Sequence, residues 1–143
     1  MSDTALQLAG SVEPVRGIVG VLGVGIDLVQ VARVREVMRR TPRFMERVLS
    51  ADEQIYCQSQ ARPEEHVAVR FAAKEAVIKI FGSGLFSVNL ADIEVARAES
   101  GAPFLVLRGG ASQRSERLGV RRWLLSLTHT DEVAGAVVVA VGA

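Results

Sequence analysis

Pro63-Glu64-Glu65-His66-Val67-Ala68-Val69-Arg70-Phe71-Ala72-Ala73-Lys74-Glu75-Ala76-Val77-Ile78-Lys79-Ile80-Phe81 has its one proline at the first position and no glycine anywhere. Proline suits the first turn of a helix, where its missing N–H would have no partner in any case. Gly82-Ser83-Gly84 then stops the run. The pattern predicts one long helix. Val67, Phe71, Ile78 and the alanines between them leave little polar surface, as in a rod buried at the centre of a domain. Into this rod the sequence sets Lys74, Glu75 and Lys79. Glu75 and Lys79 are four apart and share a face, whereas Lys74 points about 100° away from Glu75. A Glu–Lys pair at that spacing is either an ordinary helix ion pair or half of a site for a divalent cation and a phosphate.

Before the helix, residues 1–16 are mixed and polar, include Pro14 and show no sustained period. They are expected to be a mobile extension, leaving a single domain over residues 17–143. Gly17–Asp27 is rich in branched residues, which favour a strand, and its glycines point to bulges or to close backbone approach. Asp27 is read as the end of that strand. Val31, Val34, Val37 and Met38 recur at helical spacing, Pro42 interrupts, and Phe44–Leu49 is a second short helical stretch. Ser50-Ala51-Asp52-Glu53 has the form of a capping box, predicting a helix over about residues 51–59.

After the long helix, Asp92–Ala98 and Pro103–Leu107 alternate like strands around Ser100-Gly101-Ala102, a hairpin signal. Gly110–Leu118 reads as a helix with a polar face. Arg122–Thr128 and Val133–Val141 read as strands joined through Thr130-Asp131-Glu132. Helices in the first half and antiparallel strands in the second give an α+β class, with antiparallel sheet around the long central helix.

With 143 residues the chain is long enough for one core and too short for two. A net charge of +1 gives no global signature of nucleic acid or of a membrane surface. No apolar run approaches the ~18 residues that cross a bilayer, and Asp3 and Glu13 interrupt any signal-peptide pattern. Cys57 is the single cysteine, which excludes an internal disulfide and suits a reducing compartment. A cytoplasmic protein is expected.

Asp27 and Glu75 together make sense as hard oxygen ligands, since Mg²⁺ is typically held by one or two carboxylates, with water and substrate phosphate completing the shell. Alone, Asp27 is equally well a helix cap and Glu75 a solvated helix residue. Lys74 and Lys79 would bring positive charge to a phosphate, and Gly82-Ser83-Gly84 would bring backbone N–H groups. His129, between Thr128 and Thr130, is a candidate base because of its residue type, while His66 beside Glu64 and Glu65 reads as a surface residue. Arg33, Arg35, Arg39, Arg40, Arg43 and Arg47 face only Glu36 and Glu46 over fifteen positions. Arginine without lysine suits carboxylate or phosphate partners. Phe44 adds an apolar anchor, and an acidic protein partner fits the near-neutral chain better than nucleic acid.

Gly25-Ile26-Asp27, Arg70-Phe71-Ala72-Ala73-Lys74-Glu75-Ala76 with Lys79, Phe81-Gly82-Ser83-Gly84, Gly101-Ala102-Pro103 and Ser126-Leu127-Thr128-His129 occur in order and at fitting separations. In these motifs, over about residues 17–141, the chain resembles the holo-acyl-carrier-protein synthases, the small trimeric class of phosphopantetheinyl transferases. The resemblance implies the phosphopantetheinyl transferase fold and a homotrimer with its active sites between subunits. It implies transfer of phosphopantetheine from coenzyme A to a serine of an acidic apo acyl carrier protein, releasing adenosine 3',5'-bisphosphate and giving holo carrier for fatty acid or polyketide synthesis.

By motif position, Asp27 and Glu75 would hold Mg²⁺. Lys79 would face the pyrophosphate and help the leaving group depart. Arg70, Lys74, Gly82, Ser83 and Gly84 look like nucleotide-side contacts, and His129 would lie near the coenzyme in a neighbouring subunit's site or near the attacking serine. Arg33, Arg40, Arg43 and Phe44 fall where the family docks its carrier. The base that takes the seryl proton is left open between a metal-bound hydroxide, Glu75 and His129. Leu124 stands where many members have His, and Thr130 follows His129 where others often have Asp. A module that binds coenzyme A or a carrier without turnover is the alternative reading.

Overall fold

The computed structural model describes residues 20–82 and 87–143. The expected extension at residues 1–16, the start of the first strand at 17–19, and Ser83 and Gly84 lie outside the described residues. In chain order the elements are β1 (Val21–Gln30), α1 (Val31–Arg40), α2 (Phe44–Val48), α3 (Ala51–Gln58) and α4 (Pro63–Phe81). A 3₁₀ turn (Leu90–Asp92), the hairpin β2 (Ile93–Arg97) and β3 (Pro103–Leu107), α5 (Gly109–Leu118), β4 (Arg122–His129) and β5 (Val133–Val141) complete the fold. This is the expected α+β class, with two antiparallel sheets: β1-β5-β4, and the β2-β3 hairpin.

Helix α4 is the axis of the molecule. Proline occupies its first turn, Glu64 and Glu65 complement the positive end of its dipole, and Gly82 closes it in the left-handed region at φ 71°. Val67, Ala68, Ala72, Ala73, Ala76 and Val77 have no exposed surface, so small side chains let β1, β5, the hairpin and the other helices approach from all round. One approach is closer than any side chain permits. A Cβ on Gly25 would fall on the carbonyl oxygen of Ala76, so glycine is what allows β1 to lie directly on α4. Asp27, two residues on, therefore lies inside β1, paired opposite Ala136. The expectation that it ends the strand is corrected: the ladder with β5 carries on to Gln30.

The capping box at Ser50 forms as expected, with Ser50 Oγ accepting from Glu53 N at 3.2 Å and Glu53 Oε1 accepting from Ser50 N at 2.9 Å. Glu53 also does something the motif does not disclose. It is 2% exposed and reaches into the core, where Oε1 accepts from Lys74 Nζ at 2.7 Å and Oε2 from Val95 N at 3.1 Å. Lys74 is fully buried and spends its remaining donors on Leu90 O at 2.9 Å and Ile93 O at 2.6 Å. One ammonium thus ties the start of α3, the 3₁₀ turn and the root of β2 to the central helix. Removing one partner of such a buried pair leaves the other charge uncompensated. Lys74→Met is expected to cost about 3–5 kcal/mol of stability, read by urea unfolding; a loss below about 1 kcal/mol would show that the pair does not hold these elements together.

Candidate active site

Because Gly25 seats β1 against Ala76, the inward side chain of Asp27 meets the face of α4 that carries Glu75 and Lys79. Lys79 does not pair with Glu75 along the helix. Its ammonium crosses to β1, donating to Asp27 Oδ1 at 3.0 Å and to Ile26 O at 2.8 Å. Asp27 Oδ2 is buried and has no hydrogen-bond partner. Glu75 lies beside it, and its carboxyl is pushed up to about 8, first by burial and then by the adjacent Asp27 carboxylate, with Lys79 and Arg33 pulling the other way. Burial and the neighbouring carboxylate outweigh the two cations, so Glu75 holds its proton through neutral pH unless a metal cation takes its place. An orphaned buried carboxylate oxygen next to a second carboxyl fits a hard divalent ion, which accepts two protein ligands when substrate oxygens and water fill its other positions. Among the described residues no third His, Cys, Asp or Glu joins them.

A groove of about 670 Å³ opens at Glu75 between α1 and α4. Val34, Val37, Phe44 and Phe71 line it, with Arg33 and Glu75 as its charged members. Phe44 is half-buried against Phe71, the ring centroids 5.8 Å apart, so it shapes the groove wall. Along the arginine run, Arg39 and Arg40 both bond Glu36 and Arg35 reaches Glu64. Arg33 and Arg43 are exposed and form no ion pair among the described residues.

Three expectations are corrected, those for Lys74, Gly82 and His66, while Arg70 is largely buried. Lys74 offers nothing to a phosphate, because all three of its donors are used in the core. Arg70, 2% exposed, is turned inward: it donates to His66 O at 3.2 Å and lies over the Tyr56 ring at 4.5 Å. It lines a cavity of about 250 Å³ together with Tyr56 and Arg97, and its Nε, 4.0 Å from Glu53 Oε2, has no hydrogen-bond partner. The N–H of Gly82 is committed to Ile78 O and Lys79 O, closing the helix. His66 is no surface residue: its ring packs edge-on against Tyr56 at 5.6 Å and His129 at 5.4 Å.

His129, the last residue of β4, stands by the first turn of α4, its Nδ1 3.6 Å from Glu65 Oε2. Glu65 and Glu75 are ten residues apart on one helix, a rise of about 15 Å. One chain therefore holds two polar clusters at separate levels of α4, and His129 does not meet Asp27 and Glu75 within it. The sequence reading left out Glu65 and Tyr56; their only signal is proximity in sequence to His66 or to the capping box, which says nothing of a partner sixty residues on.

The family model described as the 4'-phosphopantetheinyl transferase superfamily matches residues 23–138. A holo-[acyl-carrier-protein] synthase of Koribacter versatilis is 43% identical over 121 residues, covering 83% of this chain and 97% of its own. One of Natranaerobius thermophilus is 38% identical over 120 residues, covering 82% and 96%. Among solved structures, a holo-(acyl-carrier-protein) synthase of Bacillus anthracis in complex with coenzyme A (3',5'-ADP) superposes with a TM-score of 0.71 at 32% identity, over 87% of this chain and 99% of that one. With Asp27, Glu75 and Lys79 gathered on β1 and α4, and with likeness running over almost the whole described domain, the chain belongs to the 4'-phosphopantetheinyl transferase superfamily.

Proposed function

We propose that this chain transfers the phosphopantetheine group of coenzyme A to a serine of an acidic apo acyl carrier protein in the cytoplasm, yielding holo carrier for fatty acid or polyketide synthesis. The observation that carries this reading is the buried, unpartnered Oδ2 of Asp27 facing Glu75, with Lys79 on the other oxygen. Asp27 and Glu75 would hold Mg²⁺, which when bound would supply positive charge toward the coenzyme A pyrophosphate. In the transfer the seryl oxygen bonds to the phosphorus bearing pantetheine, the bond from that phosphorus to the bridging oxygen breaks, and adenosine 3',5'-bisphosphate leaves. Such reactions depend chiefly on positioning and on neutralising charge. Lys79, its side chain 57% exposed, is free to turn from Asp27 toward the departing phosphate. The seryl proton goes to a base, for which Glu75 and His129 are this chain's candidates.

The carrier docks on the α1 surface, its acidic side against Arg33 and Arg43 and its apolar side at the groove by Phe44. The active unit is a homotrimer. On the face of the three-stranded sheet turned away from α4, Leu22, Val24, Ile26, Leu28 and Leu124 are each at least 40% exposed, an apolar patch that suits burial against another copy. Assembly also supplies what a single chain lacks, a His129 cluster close to a Glu75 cluster.

With fluorescent coenzyme A and apo carrier, labelling is expected with Mg²⁺ and to be abolished by EDTA; binding without labelling would make the chain a silent module. In the same assay Arg33→Glu and Arg43→Glu are expected to raise the carrier KM roughly tenfold, and Arg40→Glu less, because Glu36 already balances Arg40. Unchanged carrier KM in the first two would move the docking surface elsewhere.

A carboxyl raised to about 8 from its ordinary 4.5 makes the native state hold more protons than the unfolded one between those values. Its stabilising effect is full below 4.5 and is lost as pH rises toward 8. Without metal, the melting temperature should therefore fall from pH 6 to 8.5 by a few degrees more in the wild type than in Glu75→Gln. Millimolar Mg²⁺ should restore it in the wild type alone. Parallel curves for the two proteins would exclude Glu75 as the titrating group.

Ile26→Glu, at the centre of the exposed stripe, should give monomers by light scattering and lower transferase activity at least tenfold. A fully active monomer would place the whole site within one chain.

A further inference from the structure

His129 ends β4 with its imidazole beside two residues of the first turn of α4, one of them backed by a ring from the last turn of α3. Glu65 Oε2 lies 3.6 Å from Nδ1, the His66 ring stands edge-on at 5.4 Å, and Tyr56 backs His66 at 5.6 Å. The side chain of Glu65 is 12% exposed and is steadied from its other side by Arg62 at 3.4 Å. Nothing closer in sequence can do the same for His129. The Thr130 hydroxyl is engaged in the β4–β5 turn, accepting from Glu132 N at 3.1 Å and from Val133 N at 3.0 Å. Asp131 forms no ion pair among the described residues.

We propose that Glu65 is the positioning residue for His129: it keeps the ring hydrogen on Nδ1 and aims a free Nε2 outward, to where the coenzyme or the accepting serine arrives. A carboxylate beside one ring nitrogen selects the tautomer with hydrogen on that nitrogen, and the other nitrogen becomes the acceptor. The 3.6 Å separation is longer than a formed hydrogen bond, as is usual in ligand-free sites, whose hydrogen bonds tighten when substrate binds. His66 limits rotation of the ring. Burial, then Arg70, then His129 itself hold His66 below the usual imidazole range, with Glu65 opposing, so at neutral pH it packs beside His129 as an uncharged ring. The carboxylate is thus supplied by a helix some sixty residues earlier in the chain, and this assignment rests on the proposed role of His129 in the transfer.

Glu65→Gln keeps the shape, removes the charge, and can offer an amide N–H to Nδ1. In long-range ¹H–¹⁵N spectra of the free protein, His129 should carry its hydrogen on Nδ1 in the wild type and shift toward Nε2–H in Glu65→Gln. kcat should fall about tenfold with carrier KM unchanged. Glu64→Gln removes an equal charge from the same helix turn, but Glu64 pairs with Arg35; it should leave both tautomer and kcat as in the wild type. An unchanged His129 tautomer in Glu65→Gln, or an equal shift in Glu64→Gln, overturns the proposal. The functional reading of His129 is tested separately by His129→Ala, expected to lower kcat about a hundredfold. Normal turnover there overturns that reading while the spectra still judge whether Glu65 orients the ring.

Discussion

There is no room for a side chain at position 25. The backbone of β1 rests on the backbone of α4 at Ala76, and a single added carbon would collide with the Ala76 carbonyl oxygen. Backbone contact at this point fixes the distance between the strand and the helix, and so between the residues just beyond it on each: Asp27 on one, Glu75 and Lys79 on the other. A carboxylate pair with one buried oxygen left unsatisfied persists only when the surrounding structure holds it in place. Here the β1–β5 ladder and the buried alanine face of α4 do so. Glycine at 25 and alanine at 76 are in this sense part of the site, although neither carries functional chemistry.

Helix α4 resolves a conflict between burial and charge by giving its charged residues partners on different sides. Lys74 points to the core and is neutralised by Glu53, Arg70 lies over Tyr56, Glu75 meets Asp27, and Glu65 meets His129. The Lys74–Glu53 pairing is structural and sealed from solvent; Arg70 lines a cavity and keeps one unpartnered nitrogen, and the last two pairings lie nearer the surface and stay incompletely satisfied. That difference separates the polar groups that hold the fold from those left available to a substrate. The apolar outer face of the β1-β5-β4 sheet is the complementary feature at the scale of the whole domain: surface with no use in an isolated chain, on the sheet that carries both Asp27 and His129.

Helix α4 was legible from residue 63 to residue 81 because proline, the alanine-rich interior and glycine are local signals that tertiary contacts reinforce. The capping box at Ser50 and the strand Val133–Val141 were legible for the same reason. The pairing of Asp27 with Glu75 was readable as chemistry, since two carboxylates with a lysine form a recognisable ligand set. The direction of Lys74 was half readable: a residue 100° away from Glu75 faces another environment, but the sequence does not say whether that environment is solvent or core. Gly82 was misread because a backbone N–H looks equally available until its partners are known.

What the sequence determined by itself was therefore the set of elements, their order, and the residue types able to hold a cation and a phosphate. Local propensity and periodicity are properties of neighbouring residues, and the chain carries them directly. Only the tertiary structure decided which charges are consumed internally, that Asp27 lies inside its strand, and that His129 stands beside Glu65, about 15 Å along α4 from Glu75. These depend on contacts between residues far apart in the chain, such as Asp27 with Ala136 and Glu65 with His129. Their geometry is set by how closely backbones pack, above all at Gly25 on Ala76, and no local pattern encodes that distance.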